Sequence, residues 1–289
     1  MSDRPRVDLV IPFAGSREEL EELLARADRL RFGEGDTLTV VDNSPAGPEP
    51  ADARVVVARE RRSSYYARNQ GAARGTGEWI LFIDADVDPP ADLVDRYFDE
   101  APQEGTGVLA GGVVDEPLGA NGSMATRYAA LRARMTQDNT LGLGQWAYAQ
   151  TANCAIRRRA LDAVGGFRDD LRSGGDADLC FRLRKAGWEL ETRSRAVVVH
   201  HSRPTLRKML RQRARHGAGA SWLDHEYPGS FPRRRWLGLA KWTFGSLARA
   251  PVDAARGRSE DALFALVDPL DHWAFELGRL FPNTTRARR

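Results

Sequence analysis

The feature that most constrains the fold is the alternation of short apolar runs with segments of helical apolar spacing. Such an order is typical of a doubly wound sheet in which most strands are parallel. The first run, Val7 to Pro12, is followed by Ser16 and Glu19, which have the spacing of a helix capping box. Further strands are predicted at Thr37 to Val41, Arg54 to Val57 and Trp79 to Ile83, with a helix from Ser63 to Arg74. An α/β fold follows, with a first helix that buries Leu20, Leu23, Leu24, Ala27 and Leu30.

The second half of the chain is less regular. Strands are predicted at Val108 to Val114, Gln150 to Ile156 and Arg195 to His200, and helices at Ser123 to Gln137, around Arg159, around Asp176 and from Pro204 to His216. We predict a domain over residues 1–202, made of a nucleotide-binding half (1–116) and an acceptor half (117–202), and a helical carboxyl-terminal extension over 203–289.

Three carboxylates follow predicted strands. Asp42 ends the second strand, and Asp84 and Asp86 follow the fourth. In a doubly wound sheet, ligands bind beyond the carboxyl ends of the strands, so we expect these groups to converge. Two carboxylates one residue apart suit Mg²⁺ or Mn²⁺, which would keep open positions for the phosphates of a nucleotide sugar. An Asp pair after a strand is also typical of a turn or a helix cap.

Composition places further limits on the class of protein. The 289 residues suffice for one large α/β domain, and the two cysteines, Cys154 and Cys180, are too far apart in sequence to indicate a zinc site or a disulfide framework. With no signal-peptide pattern at the amino terminus, we expect a cytoplasmic protein. The net charge is only +3, but basic residues concentrate in Arg203 to Arg215, Arg233 to Arg235 and Arg286 to Arg289. This asymmetry is typical of a contact with anionic lipid, nucleic acid or phosphate, and also of a GC-rich genome.

Four sequence blocks accompany the Asp84-Ala85-Asp86 pattern in one order. They are Val40-Val41-Asp42-Asn43-Ser44, Ala67-Arg68-Asn69-Gln70-Gly71, Thr151-Ala152-Asn153-Cys154-Ala155-Ile156-Arg157-Arg158 followed by Ala163-Val164-Gly165-Gly166-Phe167, and Gly174-Gly175-Asp176-Ala177-Asp178-Leu179. Together, over roughly Val7 to His216, they resemble the inverting family 2 glycosyltransferases with a GT-A fold. The resemblance implies transfer of a sugar from a nucleotide-diphosphate donor to an acceptor hydroxyl.

On the donor side, the resemblance implies that Asp42 accepts a hydrogen bond from the nucleotide base, although an Asx turn would also explain this residue. Pro12 and Ala14 would line the nucleoside pocket, and Arg68 would lie near the base or the diphosphate. Asp84 and Ala85 would contact the sugar nucleotide.

The metal would be held on the same side of the sheet. The resemblance implies that Asp86 ligates Mg²⁺ or Mn²⁺ directly, and that one of the two histidines His200 and His201 completes the shell. His200 matches the family position better. A pair of histidines at the end of a strand is also commonly solvent-facing.

On the acceptor side, the resemblance implies that Asn153 lines the site and that Asp176 is the general base, with Asp178 as the other candidate. Carboxylates at the start of a helix are also common caps. The sequence departs from the family pattern at Gly175, where an acidic residue often precedes the base, and at Asn43, where a second aspartate is common.

Two alternatives to the transferase remain open at this stage. A sugar nucleotidyltransferase would need a glycine-rich basic loop after the first strand, where only Phe13-Ala14-Gly15-Ser16-Arg17 stands. The second alternative is a catalytically silent module that binds sugar nucleotide, or binds nucleic acid through the basic tail. The carboxylates argue against it, because they would repel the phosphates that such a module binds. We expect no nucleic acid partner. Gln212-Arg213-Ala214-Arg215-His216 lacks the tryptophan of processive synthases, which favours a single addition.

The acceptor and the role of the tail stay open. A glycan, a lipid-linked molecule or a small molecule would serve as acceptor. The basic helices of the tail favour peripheral contact with an anionic membrane at the inner face, whereas burial in a core would also explain the large apolar residues Trp222, Trp236, Trp242, Phe244, Leu263, Phe264 and Trp273.

Overall fold

A computed structural model describes residues 4–46, 52–117, 122–233 and 236–285. The strands are β1 (Val7–Phe13), β2 (Thr37–Asp42), β3 (Val55–Val57), β4 (Trp79–Ile83), β5 (Val87–Asp88), β6 (Thr106–Asp115), β7 (Asn153–Arg157) and β8 (Glu189–His200). The helices are α1 (Arg17–Ala27), α2 (Ser64–Ala72), α3 (Leu93–Tyr97), α4 (Met124–Leu131), α5 (Asp138–Leu141), α6 (Arg158–Ala163), α7 (Gly175–Lys185), α8 (Leu206–Glu226), α9 (Trp236–Ala255) and α10 (Ser259–Gly278). Residues 234–235 of one predicted basic cluster and the whole of another, 286–289, lie outside the described residues.

One sheet joins the eight strands in the order β3-β2-β1-β4-β7-β6-β8-β5. β1 runs parallel to β2 and β4, β2 is parallel to β3, and β6 is parallel to β8. β7 is antiparallel to both of its neighbours, and β5 is antiparallel to β8. The prediction of a mostly parallel α/β sheet is therefore confirmed, with two antiparallel strands that the sequence pattern did not indicate.

The amino-terminal βα unit forms as its sequence predicts. Ser16 accepts a hydrogen bond from the backbone N–H of Glu19, and the Glu19 carboxylate accepts one from the backbone N–H of Ser16, which completes the capping box. Leu23 and Ala27 are buried on the inner face of α1. Leu30 is also buried, but it reaches the core from the turn after the helix rather than from the helix itself.

Three predicted elements differ in extent. The helix predicted to reach Gln137 ends at Leu131, because the backbone at Ala133 has a φ of 45°, which no right-handed helix accommodates. β8 begins at Glu189 rather than at the predicted Arg195. Its first residues are mostly polar and do not show an apolar strand pattern, and parallel pairing with β6 stabilises them as a strand. α8 continues past His216 to Glu226, since Gly217 and the small residues after it are buried.

The chain forms two compact units. The first contains residues 1–116, 135–201 and 284–289, and therefore all eight strands; the second contains residues 117–134 and 202–283. The first unit has a core of strand residues, including Leu9, Ile11, Trp79, Leu81 and Leu109, all at most 1% exposed. The predicted functional halves and the boundary at residue 202 stay predictions.

Within the second unit, α8 and α10 pack together through glycine. A Cβ atom added at Gly217 would overlap the carbonyl oxygen of Phe275, and one added at Gly278 would overlap the carbonyl oxygen of Ala214. Each obstacle is backbone of the facing helix, which cannot move without separating the two helices. The close approach of α8 and α10 therefore requires glycine at both positions.

No helix of the described residues is both long and apolar enough to cross a bilayer.

We expect Gly217→Ala or Gly278→Ala to lower the free energy of unfolding by about 1–3 kcal/mol, the usual cost of overpacking a tight contact. Gly245→Ala is the matched control, because Gly245 lies in α9 with no atom within 4 Å of an added Cβ. That change should be neutral or stabilising by up to about 1 kcal/mol, since alanine favours helix. Thermal unfolding of the three variants measures this; equal effects at all three positions would contradict the packing described.

Candidate active site

The carboxyl ends of β2, β1 and β4 lie side by side, because these three parallel strands are neighbours in the sheet. Asp42 is the last residue of β2, and Asp84 directly follows β4. The end of β1 lies between them, with Pro12 half-buried and Ala14 exposed. The topology therefore brings these predicted donor-side residues to one edge of the sheet, as the sequence indicated.

Asp42 is buried, and its two carboxylate oxygens have different surroundings. One oxygen accepts a hydrogen bond from the backbone N–H of Ser44 at 2.9 Å, so an Asx turn is present. The other lies 3.4 Å from an Nη of Arg59. Asn43 fixes the following loop by donating to the carbonyl oxygens of Ala58 and Arg61. Asp42 thus stabilises its own turn and still directs one oxygen toward a cation.

Arg68 is the central cation of the site. It is 3% exposed, lies on α2, and forms an ion pair with Asp84. Its guanidinium also lies 5.6 Å from the centre of the Tyr65 ring. The Nε atom is buried without a hydrogen-bond partner. A buried donor without a partner is unusual, and it would readily bind an anionic oxygen.

Asp176 stands in the first turn of α7, where its carboxylate interacts electrostatically with Arg68. Gly174 opens the helix with a left-handed φ of 79°, and the backbone N–H of Ala177 donates to Asp176 at 3.1 Å. Loss of solvent raises the pKa of the Asp176 carboxyl; the hydrogen bond from Ala177 and the charge of Arg68 offset the rise in part. A half-buried carboxylate with a raised pKa is suited to accept a proton.

Gly175, the departure from the family pattern, has a packing explanation. A Cβ atom at this position would lie 2.8 Å from the ring of Tyr65. The same ring lies beneath Arg68 and stacks on Phe167. Tyr65 therefore occupies the space that a side chain at position 175 would need.

Asp178 has a different environment from Asp176. It is fully buried and accepts two hydrogen bonds from Arg182, at 2.9 and 2.8 Å. Arg182 also donates to the carbonyl oxygens of Val164 and Gly166, and so ties α7 to the turn after α6. The geometry gives Asp178 a structural role, which leaves Asp176 as the better candidate for the base.

His200 and Asp86 lie together at the junction of β8 and β5. The Nε2 atom of His200 lies 3.8 Å from an oxygen of Asp86, and its Nδ1 lies 3.5 Å from an oxygen of Asp115. Burial would lower the pKa of His200, but the carboxylates of Asp115 and Asp86 raise it above its usual value. His201 instead lies 3.1 Å from Glu116, with its side chain 43% exposed. Of the two histidines, His200 faces the candidate metal ligand.

These two side chains are compatible with a shared cation. Two ligands on one ion, each bonded at about 2.1 Å, can be up to about 4.2 Å apart, which includes the separation of Asp86 and His200. Within the described part of the chain, no group of three or more His, Cys, Asp or Glu side chains is arranged to hold a metal. Among the described residues, Asp86 and His200 are therefore the candidate ligand pair that the geometry brings together.

Asn153 is the first residue of β7 and pairs with Ile83, the residue before Asp84. It is fully buried, donates to the carbonyl oxygens of Gly112 and Ala196 at 2.9 and 2.7 Å, and accepts from the Tyr97 hydroxyl at 2.8 Å. These bonds join β7 to β6, β8 and α3. Its amide is occupied by these bonds, which gives it a part in joining the sheet, and its role at an acceptor site stays a prediction.

Sequence reasoning missed three residues of this site. Asp115 ends an apolar strand just as Asp42 does, so the same signal could have identified it. Arg59 belongs to the run Arg59-Glu60-Arg61-Arg62, which has the composition of a solvated loop, yet its Nε is buried. Tyr65 carries no sequence signal, because its role depends on packing between α2 and α7.

Comparison with solved structures supports the fold. The mannosyltransferase PcManGT from Pyrobaculum calidifontis, solved with GDP-Man and Mn²⁺, superposes with a TM-score of 0.56 over 95% of this chain and 73% of that one, at 17% identity. Glucosyl-3-phosphoglycerate synthase from Mycobacterium tuberculosis, solved with phosphoglyceric acid, gives 0.51 over 76% of this chain and 79% of that one, at 18% identity. The GT-A fold expected from the sequence is confirmed.

Sequence comparison identifies the family. The pre-mycofactocin glycosyltransferase of Mycobacterium tuberculosis is 28% identical over 240 residues, 77% of this chain and 48% of that protein. This chain thus spans about half the length of that relative. Glycosyltransferase AglE of Haloferax volcanii is 26% identical over 265 residues, 86% of this chain and 84% of AglE. A family model described as glycosyl transferase family group 2 matches residues 79–255, more than half of the chain. The protein therefore belongs to glycosyl transferase family group 2, a family of transferase enzymes.

Proposed function

We propose that the protein is an inverting, non-processive, metal-dependent transferase that moves a sugar from a nucleotide-diphosphate sugar to an acceptor hydroxyl. The observation that carries this proposal is Asp176, a half-buried carboxylate whose pKa is raised, beside the Arg68–Asp84 pair at the carboxyl edge of the sheet. The Asp176 carboxylate is suited to accept a proton, and the Arg68 guanidinium is suited to bind an anion. A transfer from a diphosphate to a hydroxyl needs both.

The donor would bind along the edge formed by β2, β1 and β4. Asp42 would accept a hydrogen bond from the imino group of the base, and Arg59 beside it would hold that carboxylate in place. Pro12 and Ala14 would line the nucleoside pocket, and Asp84 with Ala85 would face the ribose and the diphosphate. That PcManGT was solved with GDP-Man supports a sugar nucleotide here without identifying the base or the sugar.

The diphosphate would be held by Arg68 and by a divalent cation. The free Nε of Arg68 would donate to a phosphate oxygen. Asp86 and His200 would hold Mg²⁺ or Mn²⁺, an assignment supported by their separation and by the Mn²⁺ in PcManGT. When bound, the cation neutralises the charge that develops on the departing diphosphate.

Asp176 would act on the acceptor. As the acceptor oxygen bonds to the anomeric carbon, its proton passes to the Asp176 carboxylate. The bond from that carbon to the phosphate oxygen breaks, and the nucleoside diphosphate leaves. Because attack and departure take place on opposite faces of the sugar, the configuration inverts, as in inverting glycoside hydrolysis. The pKa raised by burial makes Asp176 a stronger base than an exposed aspartate.

The acceptor class belongs to the same proposal. A glycan, a lipid-linked molecule or a small molecule fits the chemistry, since all that the site requires is a hydroxyl. A cytoplasmic location with peripheral contact at the inner membrane face, through the basic carboxyl-terminal helices, is supported by four exposed basic residues on α8, namely Arg207, Lys208, Arg211 and Arg215.

The donor and the metal can be tested together by thermal unfolding with UDP, GDP, dTDP and CDP sugars, each with and without Mn²⁺. At ~100 times its Kd, the true donor should stabilise the protein by about 2.7 kcal/mol, and only with Mn²⁺. Asp86→Asn and His200→Gln should abolish this stabilisation. His201→Gln is the matched control and should keep it. A metal-independent shift would contradict the cation assignment. No shift with any donor would contradict the proposed donor class and favour a silent module that binds nucleic acid.

Asp176→Asn should lower the turnover number by about 10²–10⁴, the usual contribution of a general base, and leave donor affinity unchanged. The assay follows release of nucleoside diphosphate from the donor identified by thermal shift, with a panel of hydroxyl acceptors. Asp178→Asn should instead lower stability by about 3–5 kcal/mol, because it removes the buried carboxylate that pairs with the half-buried guanidinium of Arg182. Loss of turnover in a stable Asp178→Asn variant would transfer the role of base to Asp178.

The raised pKa of Asp176 predicts a pH-dependent stability difference. For an acid whose pKa is higher in the folded state, stability is lost as the pH rises from its ordinary value of 3.8 through the folded value. Asp176→Asn should therefore be more stable than the wild type at pH 7, and the difference should be much smaller at pH 4, close to the ordinary pKa. Unfolding by denaturant at both pH values measures this difference. If the variant is instead less stable than the wild type at pH 7, and this deficit shrinks at pH 4, the folded protein stabilises Asp176 as a carboxylate and the prediction is wrong.

A further inference from the structure

Helix α9 is apolar on the side that faces solvent. Leu237 is 89% exposed and Phe244 is 74% exposed, and Leu247 and Val252 are also exposed. The buried residues of the helix are instead small, Ser246 and Ala250. A helix in a water-soluble unit normally has the reverse arrangement, with its large apolar side chains buried.

The exposed apolar residues of α9 form one face. Leu237 and Phe244 are seven residues apart, so they lie almost directly above one another, and Pro251 continues the row after a further seven. Ser246 and Ala250 lie on the opposite side. We call the side with Leu237, Phe244, Leu247, Pro251 and Val252 the outer face of α9. At Gly245, within the helix, no atom lies within 4 Å of an added Cβ.

The next helix repeats the feature. Leu266, Leu270 and Leu277 of α10 are each about half exposed, and their spacing of four and seven residues places them in one row. Leu280 and Phe281, directly after α10, are exposed as well. An aromatic and aliphatic surface of this extent in one unit is typical of an interaction site.

The charges on α9 show which partner fits. Lys241 and Arg249 are exposed on the helix, and Arg256 and Arg258 follow it. The single acidic residue of α9, Asp253, forms an ion pair with Arg258. Lys241 lies within the outer face, between Leu237 and Phe244, and Arg249 lies beside it. An apolar face that carries long cationic side chains matches the boundary between anionic headgroups and acyl chains. In a symmetric contact with a second copy, the same cations would meet each other, which is unfavourable.

We propose that α9 is an in-plane membrane helix, whose outer face enters the headgroup region of an anionic bilayer. Leu237 and Phe244 would insert most deeply, Lys241 and Arg249 would pair with lipid phosphates, and Trp242 would lie at the headgroup level. This surface is apolar, unlike the basic face of α8, and its assignment does not depend on the transferase chemistry.

Flotation with phosphatidylglycerol–phosphatidylcholine vesicles tests the proposal. The full chain should bind these vesicles, bind pure phosphatidylcholine vesicles more weakly, and lose affinity as salt is raised. Leu237→Gln combined with Phe244→Gln should lower the vesicle partition coefficient by more than about tenfold, because two large apolar side chains no longer enter the bilayer. Phe32→Gln combined with Leu143→Gln, two exposed apolar residues of the first unit, is the matched control and should bind like wild type.

A site-specific probe gives a readout independent of affinity. Cys154 and Cys180 are both buried, so Phe244→Cys should be labelled selectively by a polarity-sensitive fluorophore. Its emission should shift to the blue with anionic vesicles, whereas a label at Glu22→Cys on the exposed side of α1 should not change. Unaltered binding by the double variant with unfolding like wild type would overturn the proposal. The proposal would also be overturned if the wild type is a dimer in analytical ultracentrifugation and the double variant is a monomer, since the outer face would then bind a second copy.

Discussion

The parallel pairing of β1 with both β2 and β4 is the constraint on which the candidate site depends. It sets the carboxyl ends of three strands at one edge, so that Asp42 and Asp84 flank the end of β1. Asp84 stays partly exposed at this edge, whereas the buried Asp42 is stabilised by the backbone N–H of Ser44 and faces Arg59. α2 then delivers Arg68 to Asp84, and α7 delivers Asp176 to the same cation.

Asp176 and Asp178 lie two residues apart in α7, and their surroundings give them different roles. Asp178 is matched by Arg182, whose remaining donors bind the turn after α6, so its charge serves the packing of α7. Asp176 has no comparable partner at hydrogen-bond distance among the side chains described around it, and loss of solvent raises its pKa. Tyr65 contributes by filling the space beside Gly175 and lying beneath Arg68.

In the second unit, charged side chains are buried between the helices and several large apolar side chains are exposed, which is the reverse of a simple helical core. Between its helices, Asp271 is almost fully buried and binds Arg134 at 2.9 Å and Arg213 at 3.0 Å. Burial, followed by the charges of neighbouring arginines, lowers the pKa of His216 to about 3, so this side chain stays neutral. Arg213, which belongs to the segment compared with the processive synthases, is thus occupied by an internal ion pair. None of the seven large apolar residues considered for a core is fully buried, and two of them, Trp242 and Phe244, are exposed.

The sequence by itself determined the early strands, the capping box of α1, and the positions of Asp42, Asp84, Asp86 and Asp176 next to regular elements. These are local properties, because an apolar run followed by a polar turn residue specifies both a strand and the side chain at its end. Only the tertiary structure decided that Asn153 and Asp178 are occupied inside the protein, that His200 rather than His201 faces Asp86, and that the outer face of α9 is exposed. Those outcomes depend on residues far away in the chain, since the partner and the solvent exposure of a side chain are set by whichever element packs against it.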